Sequence, residues 1–253
     1  MKKRSFVFGF AALLGAALIF AGCQQDAESG GTTYVTKTVG KVTQSVEGLQ
    51  ALLNDDDVTE VNYEDGDLVI ENGTTLNIPA GKTLNVSSGG VKVGAAGVFA
   101  VVGTLNLQPN MTITVETGGI LIGRKEGPDD LTNLLADPDT PVVGIYTSIS
   151  GAAEAHESGG EAAVLDVSVA ELNNSAFEGT LYVLGTITIT GEAPNPAPDL
   201  KVTALGKIIF NVPSGATADI SKLDDVGGAL LKSATPIRVK LPANGNVGAI
   251  EAG

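Results

Sequence analysis

From Leu68 onward the chain repeats one short motif: an apolar residue, any residue, an apolar residue, then a break. The first apolar positions are Leu68, Leu76, Leu84, Val91, Val98, Leu105, Ile113 and Ile120, at steps of 8, 8, 7, 7, 7, 8 and 7. Apolar-x-apolar is the alternation of a strand with one buried face. The breaks carry turn residues, among them Pro79-Ala80-Gly81, Ser87-Ser88-Gly89-Gly90, Gly94-Ala95-Ala96-Gly97 and Gln108-Pro109-Asn110. The strands are therefore short and the corners sharp.

An antiparallel meander and a parallel solenoid both accept this pattern. Strands of about four residues make poor antiparallel sheets, and the Asn-Gly or Asp-Gly turns that hairpins favour occur here only before Leu76 and Leu68. A solenoid with three short strands per rung predicts a repeat of about 22 residues. The block Val102-Gly103-Thr104-Leu105-Asn106-Leu107 is echoed by Leu184-Gly185-Thr186-Ile187-Thr188-Ile189 and again by Leu205-Gly206-Lys207-Ile208-Ile209-Phe210, the last two lying 21 residues apart. A meander has no reason to repeat at that distance. The expected fold is all-β, a parallel β-helix with three short strands per rung, with Leu84, Leu105 and Ile187 facing inward; its right-handed sense comes from the resemblance given below.

Val46, Leu49, Leu52 and Leu53 share one helical face behind Ser45, and the Asn54-Asp55-Asp56-Asp57 run should end that helix. A short N-terminal helix is thus expected ahead of the strands. Between the two repetitive blocks, residues 124–161 are rich in Pro, Gly and acids. They are expected to leave the solenoid as an excursion with short helices near 129–136 and 151–157. A 22-residue rung puts Asn77, Phe99 and Leu121 in one column, and around Phe99 and Leu121 both alternating sets are apolar. Residues 128–149 are expected to cover that face.

The amino terminus has different chemistry. Lys2, Lys3 and Arg4 precede an apolar run from Phe6 to Ala21, followed by Gly22-Cys23, which is the layout of an export signal. The run is shorter than the roughly 20 residues that span a bilayer. Residues 1–22 are the expected signal peptide and 23–44, polar and rich in Gly, Ser and Thr, a flexible tether; the β-helix domain then runs over 45–253. Cys23 is the single cysteine of the chain, so no intrachain disulfide forms. Removal of the signal would take the formal net charge from −14 to about −17. Nucleic acid and anionic headgroups repel such a surface, so no nucleic-acid partner is expected.

Two resemblances extend this reading. Phe20-Ala21-Gly22-Cys23 resembles a bacterial lipobox, with Phe20 where Leu is usual; the resemblance implies lipidation at Cys23 and a membrane partner reached through the anchor. By similarity to sorted lipoproteins, Gln24 after the cysteine implies the outer membrane. The segment "VEGLQALLNDDDVTEVNYEDGDLVIENGTTLNIPAGKTLNV" resembles the opening of right-handed β-helix surface proteins of the pectin-lyase-like class, closely over 46–123 and loosely over 164–212. Some members of that class cleave acidic polysaccharides, and many are envelope or adhesin-like proteins.

Candidate chemistry is sparse. His156 is the single histidine and is expected at the surface. Asp129, Asp130, Asp137 and Asp139 could hold Ca²⁺ or act as an acid/base pair, and their spacing suits a solvated loop equally; Asp55, Asp56 and Asp57 lack the alternating pattern of a Ca²⁺ loop. No cofactor is implied and no catalytic residue stands out: there is no Gly-x-Ser-x-Gly elbow and no phosphate-binding glycine loop. With no Trp and 4% aromatic residues, stacking platforms for sugars are few. Outward positions Asn85 and Asn106 on one face, and Lys92 and Thr114 on another, contain no carboxylate. The expected role is a lipid-anchored envelope protein with a structural, adhesive or binding function toward an envelope glycan or protein. The alternative is a polysaccharide lyase or hydrolase.

Overall fold

In a computed structural model, the described residues are 45–71, 73–125, 127, 130–156, 159–243 and 250–252. The signal, Cys23, the tether and Asp129 lie outside them. Helix α1 (Val46–Asn54) opens the domain, and the Ser45 side chain caps it by accepting from the Gly48 N–H at 3.3 Å. Val46, Leu49 and Leu53 are buried, and the helix ends before the aspartates as expected. Then come β1 (Glu60–Tyr63), β2 (Leu68–Ile70), β3 (Thr75–Ile78), β4 (Thr83–Val86), β5 (Val91–Val93), β6 (Val98–Val101), β7 (Thr104–Leu107), β8 (Ile113–Val115) and β9 (Ile120–Gly123). Every predicted apolar pair lies on a strand.

All the pairings are parallel, and the steps between stacked residues run from 18 (Ile145 to Ala163) to 23 (Glu60 to Thr83). The fold is the right-handed parallel β-helix, of about eight turns. One sheet stacks β1, β4 and β7, and a second stacks β2, β5 and β8. The chain does not leave the solenoid after Gly123. Leu135 bridges to Ile113, and β10 (Val142–Tyr146) pairs with β9. The described residues within 124–161 therefore correct the expected excursion: they continue the coil, with a 3₁₀ turn at Leu131–Leu134 and helix α2 (Ile149–Ala155) set into it. Acids and prolines break the apolar period at the corners, while Val142, Val143 and Ile145 retain strand alternation.

The remaining elements are β11 (Gly160–Val164), β12 (Val167–Ser168), α3 (Val169–Asn173), β13 (Gly179–Val183), β14 (Thr186–Ile189), β15 (Leu200–Ala204), β16 (Lys207–Phe210), β17 (Thr217–Asp219), β18 (Leu230–Ser233), β19 (Arg238–Lys240) and β20 (Ile250–Ala252). The echoed blocks stack as the sequence implies, with Thr186 opposite Lys207 and Ile187 opposite Ile208.

The third sheet has seven strands, in the order β15-β13-β11-β10-β9-β6-β3. Laid flat, β3 and β15 would stand about 29 Å apart, six strand spacings. Instead the Asn77 side-chain amide in β3 donates to the carbonyl oxygens of Leu184 and Leu205, at 3.1 and 3.3 Å, just beyond the ends of β13 and β15. The sheet is folded back on its own outer face. The fold falls within β10, whose Val142–Gly144 pair with β9 and whose Ile145 and Tyr146 pair with β11. Three apolar clusters result. One lies inside the N-terminal rungs and a second inside the C-terminal rungs. The third, between the folded halves of the sheet, contains Ala100, Ile122, Val143, Ala163, Tyr182, Leu184 and Leu205.

This arrangement corrects the expected column. Phe99 stacks on Leu76, not Asn77, and both Phe99 and Leu121 point inward. The first rung holds 23 residues, and a one-residue slip exchanges the faces of a strand. An apolar outer face does exist and is covered, but its cover is the C-terminal half of the same sheet. Residues 128–149 contribute Val143 and Ile145 as part of β10, while Leu131 and Val142 join the N-terminal interior.

Asn77 also receives the side chain of Gln50 from α1, which accepts from its N–H at 2.6 Å and donates to its carbonyl at 3.1 Å. A side-chain amide thus takes the place of a neighbouring strand at the edge of β3. Near the other end, Lys240 donates to Asp219 at 2.8 Å across the register pair of β17 and β19. That hydrogen bond, with those from Ser221, lowers the Asp219 carboxyl to about 2. Because this pKa is depressed on folding, the stabilisation is present above about pH 4 and is lost as pH falls toward 2. Asp219→Asn is expected to flatten the acid limb of a stability-versus-pH curve between those values, measured by urea unfolding.

Candidate functional site

The outward face of the β1-β4-β7 sheet is a grid set by register. Glu60, Thr83 and Thr104 form one column, and Asn62, Asn85 and Asn106 form the next. The recurrent Thr-Leu-Asn places Leu inside and Thr and Asn outside, since successive side chains point to opposite faces. Asn106 donates to the Asn85 side-chain oxygen at 2.8 Å, and Asn85 donates to that of Asn62 at 2.6 Å. Asn85 also bonds the Glu60 carboxylate. The asparagines form a continuous amide ladder up the face, as their spacing implies; Glu60 beside it is not apparent from the repeat.

At the adjoining corner, a Cβ on Gly90 would sit 2.7 Å from the Thr112 carbonyl oxygen, and one on Gly89 would strike the backbone of Gly66. Gly89 also has φ +70°, in the left-handed region that glycine tolerates. With no side chain able to fill this shelf, a groove of about 350 Å³ remains, lined by Asp67, Lys92, Asn110, Met111, Thr112 and Thr114. Lys92 pairs with Asp67, and the Gly90 N–H donates to the same carboxylate at 2.9 Å. Lys92, then Gly90, hold Asp67 below the usual carboxylate range. Lys92 and Thr114 stack outward as expected.

His156, expected at the surface, is partly exposed and is held by two aromatic neighbours. Its Nε2 lies 3.0 Å from the Tyr146 hydroxyl, and its ring stands edge-on to Tyr146 and Phe177 at 5.6 and 6.3 Å. Phe177 is 21 positions away and is brought there by the stacking of successive rungs, whereas Tyr146, 10 positions back, meets His156 across helix α2 within one rung. The acidic candidates serve their own turns. Asp55 accepts from the Asp57 N–H at 3.0 Å, Asp130 from Thr132 at 2.9 Å, and Asp137 from Asp139 at 3.0 Å. Asp56 bonds Lys207 at 3.2 Å, which lowers its pKa. Among the described residues, no group of three or more His, Cys, Asp or Glu is placed to hold a metal ion.

The geometry defines a parallel β-solenoid protein with a polar outward grid and a neutral corner groove. No family model, curated protein or solved structure matches the chain.

Proposed function

We propose that this is a lipid-anchored cell-envelope protein that presents its β-solenoid in a structural, adhesive or binding role. The observation that carries the reading is the Asn62–Asn85–Asn106 ladder with its flanking hydroxyls: a flat array of paired donors and acceptors suited to hydroxyl-rich glycan or to backbone amides. The basic and apolar amino terminus ending at Cys23 supports the anchor, and Gln24 supports the outer membrane. The likeness of residues 46–123 to pectin-lyase-like surface proteins supports an adhesin-like role. A polysaccharide-cleaving site would need carboxylates and a free cation in one groove, whereas the Asp67 carboxylate and the Lys92 ammonium at the corner are paired with each other.

Two measurements test this. The unmodified chain is expected to partition into detergent and to incorporate labelled lipid, and Cys23→Ser to do neither; a Ser variant that stays with membranes would refute the anchor. On a glycan array, the protein is expected to retain glycan without turning it over. Turnover of acidic polysaccharide, with or without Ca²⁺, would replace the binding role with the enzymatic one.

A further inference from the structure

Helices α2 and α3 are set into consecutive rungs, and a cleft of about 530 Å³ lies between them. That volume is within the range of small-molecule sites. Ile149 and Ala153 line it from α2, Ala170 from α3, and Ala176 from the turn that follows. Three of these four are alanines, so the helices approach without side chains large enough to close the space. Ile149 is buried in the C-terminal interior and fixes α2 against it, and Leu172 does the same for α3. The wall is thus apolar and anchored on both sides.

Two acidic residues line this cleft, Glu154 on α2 and Glu171 on α3, and no Lys or Arg is among the described lining residues. Glu171 is held in place by a reciprocal cap: its carboxylate accepts from the Ser168 N–H at 2.8 Å and hydroxyl at 2.7 Å, while its own N–H donates to the Ser168 side chain. The same hydrogen bonds lower its pKa, so it is an anion at neutral pH. A chain of formal net charge −14 also concentrates cations around itself.

We propose that this cleft binds a small organic cation, a primary or quaternary ammonium on a short apolar body, with the body against Ile149 and the alanines and the charge between Glu154 and Glu171. An anion of the same shape would meet two carboxylates, and a neutral molecule would gain only the apolar contact.

The test is a titration of the ¹⁵N-labelled chain with n-hexylammonium, 1-hexanol and hexanoate, followed by amide chemical shifts. Hexylammonium should move the Ala153, Glu154, Ala170 and Ala176 amides. It should bind at least about threefold more tightly than hexanol, the factor expected of exposed ion pairs, and hexanoate should bind least. Glu154→Gln should weaken hexylammonium binding about threefold and leave hexanol unchanged. Ala153→Phe, which fills the space, should abolish both. If the Phe variant does not fold, the Gln variant and the three-ligand comparison decide. Hexanol binding as tightly as hexylammonium, shifts elsewhere on the chain, or no shifts with any probe would overturn the proposal.

Discussion

Gly206→Ala is expected to cost at least about 3 kcal/mol, at the upper end of overpacking, and to be among the most damaging single-methyl additions in the domain. A Cβ at Gly206 would fall well inside contact distance of the carbonyl oxygens of Leu184 and Gly185, one rung below. Gly103 meets the carbonyls of Pro79 and Lys82 in the same way, and Gly185 meets the Leu165 carbonyl, with the Asp166 carboxylate closer still. Backbone atoms of a stacked rung cannot rotate aside, so the clash must be relieved by separating two coils. Gly215→Ala provides the contrast. Its φ of +79° imposes left-handed strain, yet nothing lies within 4 Å of the added carbon, and the expected cost is about 1 kcal/mol. Urea midpoints of the two variants measure the difference. Equal midpoints would mean that the Leu-Gly corners are not the points of closest approach between rungs.

Leu84→Ala and Ile187→Ala are each expected to cost about 2 to 5 kcal/mol, read from the same unfolding curves. Both side chains are fully buried between rungs on either side, Leu84 between Val61 and Leu105 and Ile187 between Val167 and Ile208. Leu105 occupies the same inward column and would be expected to behave alike from the repeat. It is only half-buried, because β7 is the last strand of its sheet and, among the described residues, no further strand stacks upon it. Leu105→Ala should therefore cost about 1 kcal/mol, the value for a side chain that loses part of its apolar contact. A Leu105 penalty equal to that of Leu84 would show that Leu105 is covered as fully as a stacked strand would cover it.

Period and corner chemistry in the sequence already determined a great deal. The triplets from Leu68 to Ile120, the turn residues between them and the recurring Leu-Gly blocks specify short strands, sharp turns and a rung of about 22 residues, because alternation and turn conformations are properties of local sequence. The Asn85–Asn106 stack and the helix behind Ser45 follow from the same local rules. What the tertiary structure decided depends on registers that local rules leave one residue loose. A first rung of 23 residues turned Phe99 and Leu121 inward and placed Asn77 outside. The strand within residues 124–161 was hidden by acids and prolines at its corners. The fold of the seven-stranded sheet within β10 joins Asn77 to Leu184 and Leu205 across more than a hundred residues. His156 met Phe177, and Glu154 came to line the same cleft as Glu171, for the same reason: stacking makes neighbours of side chains about one rung apart, and the exact length of each rung selects which ones.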